Sequence, residues 1–365
     1  IGKGEKSHFV YFNNQLSENS KSFRLKGNSE VFQDKSVPSI TAFDGYVKDG
    51  KKYILGVTQG NQLTAITINS SGKPAIVKLP TITNKYRLIA PDFKYGYTRS
   101  ENGQFFVAYN ESELTILDQN LTTQKEYKCR AQVLEAQITS KADVFSLEAE
   151  PDKIRLVKRG TNAASVTIDI SKERDMNFFR LNVDEKLNKA FVSYLISPKA
   201  AKPKRELSKR EKKRAYKRDD DFVAVGVFIA EYDLSTLKKL SSKMVLFDEK
   251  VVSQGQKRSG NGLKYIVNQG VKSTGENTYI TLEEQWIVIV TSENGSKEVL
   301  HAEGIITINS AKENNPMIYI PKRGLSTYDY DRLSYNQIVK DNKIHYLFND
   351  NIMVGTRPAV RQVVI

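Results

Sequence analysis

One unit recurs along this chain: an apolar strand of about five residues closed by Asn or Asp, a short polar turn, and a returning strand. It is written in Val10-Tyr11-Phe12-Asn13-Asn14, Ala65-Ile66-Thr67-Ile68-Asn69, Leu114-Thr115-Ile116-Leu117-Asp118 and Ser165-Val166-Thr167-Ile168-Asp169. Ile229-Ala230-Glu231-Tyr232-Asp233 and Ile305-Ile306-Thr307-Ile308-Asn309 complete the series. The first four copies start about fifty residues apart; the last two are more widely spaced, and each of those intervals holds an insertion. The chemistry is that of a hairpin. Alternating apolar positions bury one face of a strand. The closing Asn or Asp bonds its own backbone and tolerates turn geometry.

A second series lies between the hairpins: Lys52–Val57, Gln104–Tyr109, Asp143–Leu147, Lys189–Tyr194, Asn277–Leu282 and Lys343–Phe348. Turns such as Lys48-Asp49-Gly50 and Glu101-Asn102-Gly103 lead into several of them. Three or four strands in every fifty residues or so match one blade of a propeller. The sequence therefore predicts an all-β, propeller-like fold of about six blades, or seven, forming one domain over 1–365. Arg361–Ile365 reads as the start of another unit, and the N-terminus starts at a hairpin lacking its preceding strand. The two ends are expected to close the fold in a shared blade, because closure removes open sheet edges. A large β-sandwich is the alternative.

Aromatic residues support strands over helices, with 18 Tyr and 16 Phe against one Trp. Cys129 is the sole cysteine, so no intrachain disulfide can form. No apolar run approaches the roughly 18 residues of a membrane-spanning helix. The chain starts at Ile1 and reads as a mature or truncated form.

The formal net charge is +14, and its location is informative. Residues 199–218 hold eleven basic side chains: Lys199, Lys202, Lys204, Arg205, Lys209, Arg210, Lys212, Lys213, Arg214, Lys217 and Arg218. With Glu206 and Glu211 they carry a net +9. They form a basic loop insertion, 198–221, in one blade, followed by Asp219-Asp220-Asp221. The structural reading is a solvated loop. The functional reading is docking to an acidic protein or an anionic sugar or lipid surface. Nucleic acid is disfavoured as a partner, because stacking aromatics are nearly absent, with Tyr216 alone inside the run. A second insertion, 286–301, reads as an extra hairpin around Glu293-Asn294-Gly295-Ser296. It starts at Trp286, which is read as a packing residue first and a binding platform second. Tyr328 and Tyr330 are weak candidates for a sugar-binding loop.

Chemical motifs are sparse. His8, His301 and His345 lie far apart without metal-ligand spacing. No nucleophile elbow, Cys–His pair or zinc motif occurs. Glu283-Glu284 is a carboxylate pair, but adjacent strand residues face opposite sides. Asp219–Asp221 and Tyr328-Asp329-Tyr330-Asp331 are read as solvated acidic clusters, not cation sites. No catalytic residue, metal site or cofactor is assigned, and the chain is read as non-enzymatic.

The C-terminal third carries Thr281-Leu282-Glu283-Glu284-Gln285, Gly304–Asn309, Ile320-Pro321-Lys322-Arg323, Leu333-Ser334-Tyr335 and His345–Asn351. In that order they resemble uncharacterised propeller-like cell-envelope proteins of the Bacteroidota, through a hairpin strand, an "IPK" turn, an "SY" strand and a "YLFND" strand. The resemblance covers about 70 residues well and departs at the 199–218 and 286–301 insertions. It implies export to the periplasm or cell surface and no catalytic residues. Asn349-Asp350-Asn351 is expected to end a strand in an Asx turn. The function these readings favour is a scaffold or binding subunit of an envelope assembly. Other envelope proteins would be its partners, with peripheral or lipid-anchored membrane association. The alternatives are a carbohydrate-binding or carbohydrate-active propeller and a phage or secretion-apparatus structural protein.

Overall fold

The computed structural model describes residues 7–9, 23–25, 40–58, 63–68, 74–78, 96–151, 153–168, 174–198, 222–292, 295–326, 335–354 and 357–364. The basic loop residues Lys199 to Arg218, Tyr328, Tyr330 and the hairpin proposed at Val10–Asn14 lie outside them. The described strands form one antiparallel sheet after another in chain order, and the fold is all-β and propeller-like.

Two compact units are present, residues 1–87 with 120–123, and the remainder. The first unit holds the pair β1 (Ser7–Phe9) and β2 (Phe23–Leu25). It also holds blade 1: β3 (Ile40–Lys48), β4 (Lys51–Thr58), β5 (Leu63–Ile68) and β6 (Pro74–Lys78). Leu55 and Ala65 are directly paired and fully buried, and Tyr46 stacks on its cross-strand partner Tyr53 at 4.6 Å.

The second unit holds five blades. Blade 2 is β7 (Tyr97–Arg99), β8 (Phe105–Tyr109), β9 (Glu113–Asp118) and β10 (Thr123–Lys128). Blade 3 is β11 (Gln132–Ile138), β12 (Val144–Glu150), β13 (Lys153–Arg159) and β14 (Ala164–Ile168). Blade 4 runs β15 (Arg174–Asp184), β16 (Lys189–Pro198), β18 (Gly226–Asp233) and β19 (Lys239–Leu246). Between β16 and β18, β17 (Val223–Ala224) leaves the blade to pair with β21 (Gly262–Lys264), itself paired with β20 (Arg258–Ser259). Helix α1 (Glu249–Gln254) precedes β20 and is capped by Asp248, which accepts from Val251 N at 2.6 Å. Blade 5 is β22 (Ile266–Ser273), β23 (Thr278–Ser292), β24 (Gly295–Asn309) and β25 (Met317–Ser326). Blade 6 is β26 (Tyr335–Lys340), β27 (Lys343–Val354) and β28 (Arg357–Val364).

Sequence pattern explains the order within a blade. The second strands match the second series in all six blades. β16 is buried from Ala190 to Ser197 without alternation, because neighbouring sheets cover both its faces. β13 alternates strictly, and β10, an outer strand, is almost wholly exposed. Apolar layers join successive blades. Phe145, Leu147 and Leu156 of blade 3 meet Val192, Tyr194 and Tyr232 of blade 4. Phe191, Leu195 and Ile229 of blade 4 meet Ile280, Leu282 and Ile306 of blade 5. Tyr279 and Ile305 of blade 5 meet Ile344 and Tyr346 of blade 6.

Several local expectations change. Ser165–Asp169 falls largely on the outer strand β14; the third strand of that blade is β13. Residues 286–301 pair as a hairpin, Trp286 with His301 through Ser292 with Gly295, and its strands are continuations of β23 and β24. β23 and β24 run on through it in one ladder from Tyr279↔Asn309 to Ser292↔Gly295, shifted once at Glu284/Gln285. Ile320–Lys322 is no turn: Pro321 pairs with Gly304 inside β25, beside a bulge. Asn349 and Asp350 do not end a strand either, since they pair with Val360 and Ala359 within β27. The described ladders join β28 to β27 and β1 to β2, so the shared closing strand expected of the two ends is not among the described pairings. The Asx closure holds at Asp233, whose Oδ1 accepts from Ser235 N and Thr236 N at 3.0 and 2.8 Å, and at Asn309, which accepts from Ala311 N.

Candidate functional site

The first strands of blades 2 to 5 carry buried or half-buried polar side chains that reach a neighbouring blade. Thr98 Oγ1 donates to Ala136 O at 3.0 Å. The Glu135 carboxylate accepts from Leu181 N at 2.7 Å. Arg180 Nε donates to Asn268 O at 2.6 Å. Asn268, fully buried, returns two bonds to blade 4, from Nδ2 to Phe178 O at 3.1 Å and to Ser193 Oγ at 2.9 Å. Its Oδ1 accepts from Gly270 N, while Asn182 Oδ1 accepts from Val271 N at 2.8 Å.

Local backbone irregularity makes these bonds reachable. The ladders to the second strands shift register at Val133/Glu135, Asn177/Arg180 and Asn268/Gly270. A bulge re-aims side chains out of the regular pleat. Phe178 has φ 54° and Gly270 φ 103°. At Gly270 a Cβ would stand 2.6 Å from Asn182 Oδ1, so glycine permits both the conformation and the close approach.

Tyr109 lies next to this seam. Burial, followed by the Glu135 carboxylate, pushes its phenol well above the usual range, and a hydrogen bond with the Ala136 backbone opposes the shift.

Blade 5 holds a second polar locus. Glu283 and Glu284 have separate partners, as adjacent strand positions require. Glu283 Oε1 accepts from Lys322 Nζ at 2.9 Å; Lys322 is 0% exposed and Glu283 3%. Glu283 Oε2 accepts from Gln269 Nε2 at 3.1 Å and from Gln285 Nε2. Glu284 accepts from Tyr319 Oη at 2.9 Å and from the backbone N–H groups of Gln256 and Lys257 at 3.1 and 2.8 Å. It thereby ties the small β17–β21–β20 sheet to the blade. Gln285 Oε1 is buried without a hydrogen-bond partner.

A third cluster sits in blade 3. Glu148 Oε1 accepts from Ser146 Oγ and Arg159 Nη2, both at 2.6 Å, and Arg159 Nη1 donates to Ser146 Oγ. Burial, with help from Glu148, pushes the Cys129 thiol up to about 11 against the opposing Arg159 charge. The thiol is thus protonated near neutral pH and is a weak nucleophile there. In the same blade Lys158 pairs with Asp143 at 3.7 Å.

The first-strand groups bind blades to each other, whereas the carboxylates of blades 3 and 5 are bonded within their own blade or to the small sheet. Among the described residues no cluster of three or more His, Cys, Asp or Glu is arranged to hold a metal. No described helix is long and apolar enough to cross a membrane. Trp286 is placed on β23, paired with His301, at the start of the part of β23–β24 that outruns β22. Glu135, Arg180, Asn268 and Lys322 were not singled out in sequence. The available signal was a polar residue interrupting an apolar strand, as Glu135 does in Gln132–Ile138.

No protein-family model matches the chain, and no curated protein is similar to it in sequence. Solved structures give distant likenesses. Virginiamycin B lyase from Staphylococcus aureus is 11% identical, covering 84% of this chain and 90% of its own, with a TM-score of 0.34. BamB from Moraxella catarrhalis is 13% identical over 91% and 86%, with a TM-score of 0.38. An ulvan lyase of polysaccharide lyase family PL25 is 9% identical over 84% and 77%, with a TM-score of 0.45. At that distance nothing about chemistry carries over, and the fold rests on the sheet order itself.

Proposed function

We propose that the chain is a non-enzymatic propeller scaffold, a binding subunit of a bacterial envelope assembly. The observation that supports this is the division of labour in blade 5. Its buried charges are committed to internal bonds, while its two central strands outrun the sheet. Beyond Glu284, β22 has ended, and residues Trp286 to Ser292 of β23 are laddered to β24 alone among the described residues. β25 accompanies β24 as far as Leu300↔Ser326, so the two-stranded part among the described residues is Val288–Ser292 with Gly295–Val299, and its five residues extend about 16 Å at the rise of a β-strand. A ribbon held at its base by a sheet is a presentation element: its strand edges offer main-chain donors and acceptors to a partner. The basic segment 199–218 supplies a second, electrostatic contact to an acidic or anionic surface. Residence in the periplasm or at the cell surface, with a peripheral or lipid-anchored attachment, follows from the envelope-protein resemblance of the C-terminal third.

The test is affinity purification of the tagged full chain from native envelopes, alongside a variant in which 287–300 is replaced by a two-residue turn. Stoichiometric protein partners that are lost with the ribbon support the reading. A chain that elutes without partners and binds glycans instead would overturn it.

A further inference from the structure

Glu283, Gln285 and Lys322 lie on one face of blade 5, the face whose Tyr279, Ile305 and Ile320 meet blade 6. Glu284, Gly304 and Pro321 align in one row across β23, β24 and β25, and Gln285, Ala302 and Gly324 align in the next paired row. Lys322 follows Pro321 by one residue, so it stands beside the level of Gln285 with β24 between them. Strands two places apart are separated by about 10 Å. A lysine and a glutamine joined through their side chains span roughly 11 Å when extended, from ordinary bond lengths. Gln269, on β22, is three strands from Lys322, about 14 Å and beyond that reach.

One carboxylate holds both side chains. Glu283 Oε1 accepts from Lys322 Nζ at 2.9 Å, and Oε2 accepts from Gln285 Nε2. With Lys322 0% and Glu283 3% exposed, solvent is kept from the pair. The carbonyl oxygen of the carboxamide, Gln285 Oε1, is buried without a donor. Two charges in a dry interior carry a desolvation penalty, and a reaction that removes both relieves it. An amine, a carboxamide and a carboxylate bonded to both are the groups that amide exchange requires.

We propose that Lys322 and Gln285 close an intramolecular isopeptide bond, with Glu283 carrying the protons. The ion pair is the state from which the bond forms. Nζ passes a proton to Glu283, and its freed lone pair attacks Gln285 Cδ. A half-turn of the carboxamide sets Oε1 against the protonated carboxyl, which gives that oxygen the donor it lacks as negative charge develops on it. The Cδ–Nε2 bond breaks as the Cδ–Nζ bond forms. Of the two protons that Nζ sheds, one leaves on Nε2 as ammonia and one stays on Glu283. Nothing is oxidised or reduced, and the product holds a neutral amide beside a neutral acid. The bond straddles β24 and ties β23 to β25 next to Trp286, at the base of the extended ribbon. It is independent of whatever that ribbon binds.

Peptide mapping of the folded full chain by mass spectrometry tests the proposal. Trypsin does not cut after an acylated lysine, so the bond joins residues 273–297 to residues 313–323 in one species, lighter than the two peptides together by one ammonia. We expect this species from most wild-type molecules and none of it from chains digested before they fold. Lys322→Arg keeps a cation opposite Glu283 but offers no amine that exchanges, and Gln285→Met removes the carbonyl; both should fold and give the separate peptides. Glu283→Gln should slow closure at least about a hundredfold, the usual contribution of a positioned proton carrier. Separate peptides from folded wild type would overturn the proposal. So would Lys322 joined to Gln269 or to Glu283, or closure at an unchanged rate in Glu283→Gln.

Discussion

Arg180 Nε donates to the main-chain carbonyl of Asn268 at 2.6 Å, joining the first strand of blade 4 to the first strand of blade 5. Asn268 returns the connection through Phe178 O and Ser193 Oγ. Apolar layers between blades are non-directional; these bonds fix which residue lies beside which.

Asn268→Ala removes three side-chain bonds in a buried setting and leaves Phe178 O, Ser193 Oγ and Gly270 N wanting. Leaving buried groups unsatisfied costs more than losing the bonds themselves, so we expect a loss of about 2–3 kcal/mol. Urea unfolding should show a lower midpoint with an unchanged slope. A midpoint within error of wild type would mean that the seam is incidental to stability.

That seam shows where sequence reading stopped. The second strands were legible because burial on both faces writes them as apolar runs, as in Ala190–Ser197. Turns closed by Asp233 and Asn309 were legible because the closing side chain bonds its own neighbours. Glu135, Arg180 and Asn268 act on residues about 45 to 90 positions away, and no local pattern announces such a partner. Pro321 misled for a related reason. Proline signals a turn, but inside β25 it occupies a strand position next to a bulge, where a missing N–H is tolerated.

The Glu283–Lys322 pair is buried on both sides. Removing one partner strands a charge in a dry interior, so Lys322→Met should destabilise by about 3–5 kcal/mol. Glu283→Gln alone takes the carboxylate away from the buried ammonium and should also be costly. The double variant removes both charges, while the new amide oxygen at position 283 still accepts from Gln269 and Gln285. It should recover most of the loss, as read by chemical denaturation of all four proteins. Additive losses would show that the pair does not act as a unit.

Tyr346 gives an alkaline prediction. Its hydroxyl is bonded with Thr281 and Thr307 at 2.8 Å, and burial pushes its pKa from 10.0 up to about 12. The folded-state value lies above the unfolded one, so unfolded chains release this proton first. Stability from the neutral phenol is complete below pH 10 and is lost as pH rises from 10 toward 12. Thermal melts across that window should fall, and Tyr346→Phe should flatten the slope. An unaltered slope in the variant would assign the alkaline loss to other groups, with the buried Tyr109 first among them.

Gly304 lies opposite both Glu284 on β23 and Pro321 on β25, and Tyr319 crosses above it to reach Glu284. A Cβ on Gly304 would overlap the Tyr319 hydroxyl and ring. Gly304→Ala should therefore push Tyr319 off the carboxylate, costing about 1–3 kcal/mol in overpacking. The lost Tyr319–Glu284 bond adds to that. Tyr319→Ala opens the space and costs about 3 kcal/mol by itself. Without the ring the three atoms nearest to the added methyl are gone, so the double variant should be little worse than Tyr319→Ala alone. A coupling of about 1–3 kcal/mol in this cycle would place the close approach of Tyr319 to the Gly304 backbone as the reason for glycine there. Because Glu284 also holds the backbone of Gln256 and Lys257, the same variants should raise hydrogen exchange at those two amides. Unchanged protection would mean that Glu284 keeps the small sheet in place without Tyr319.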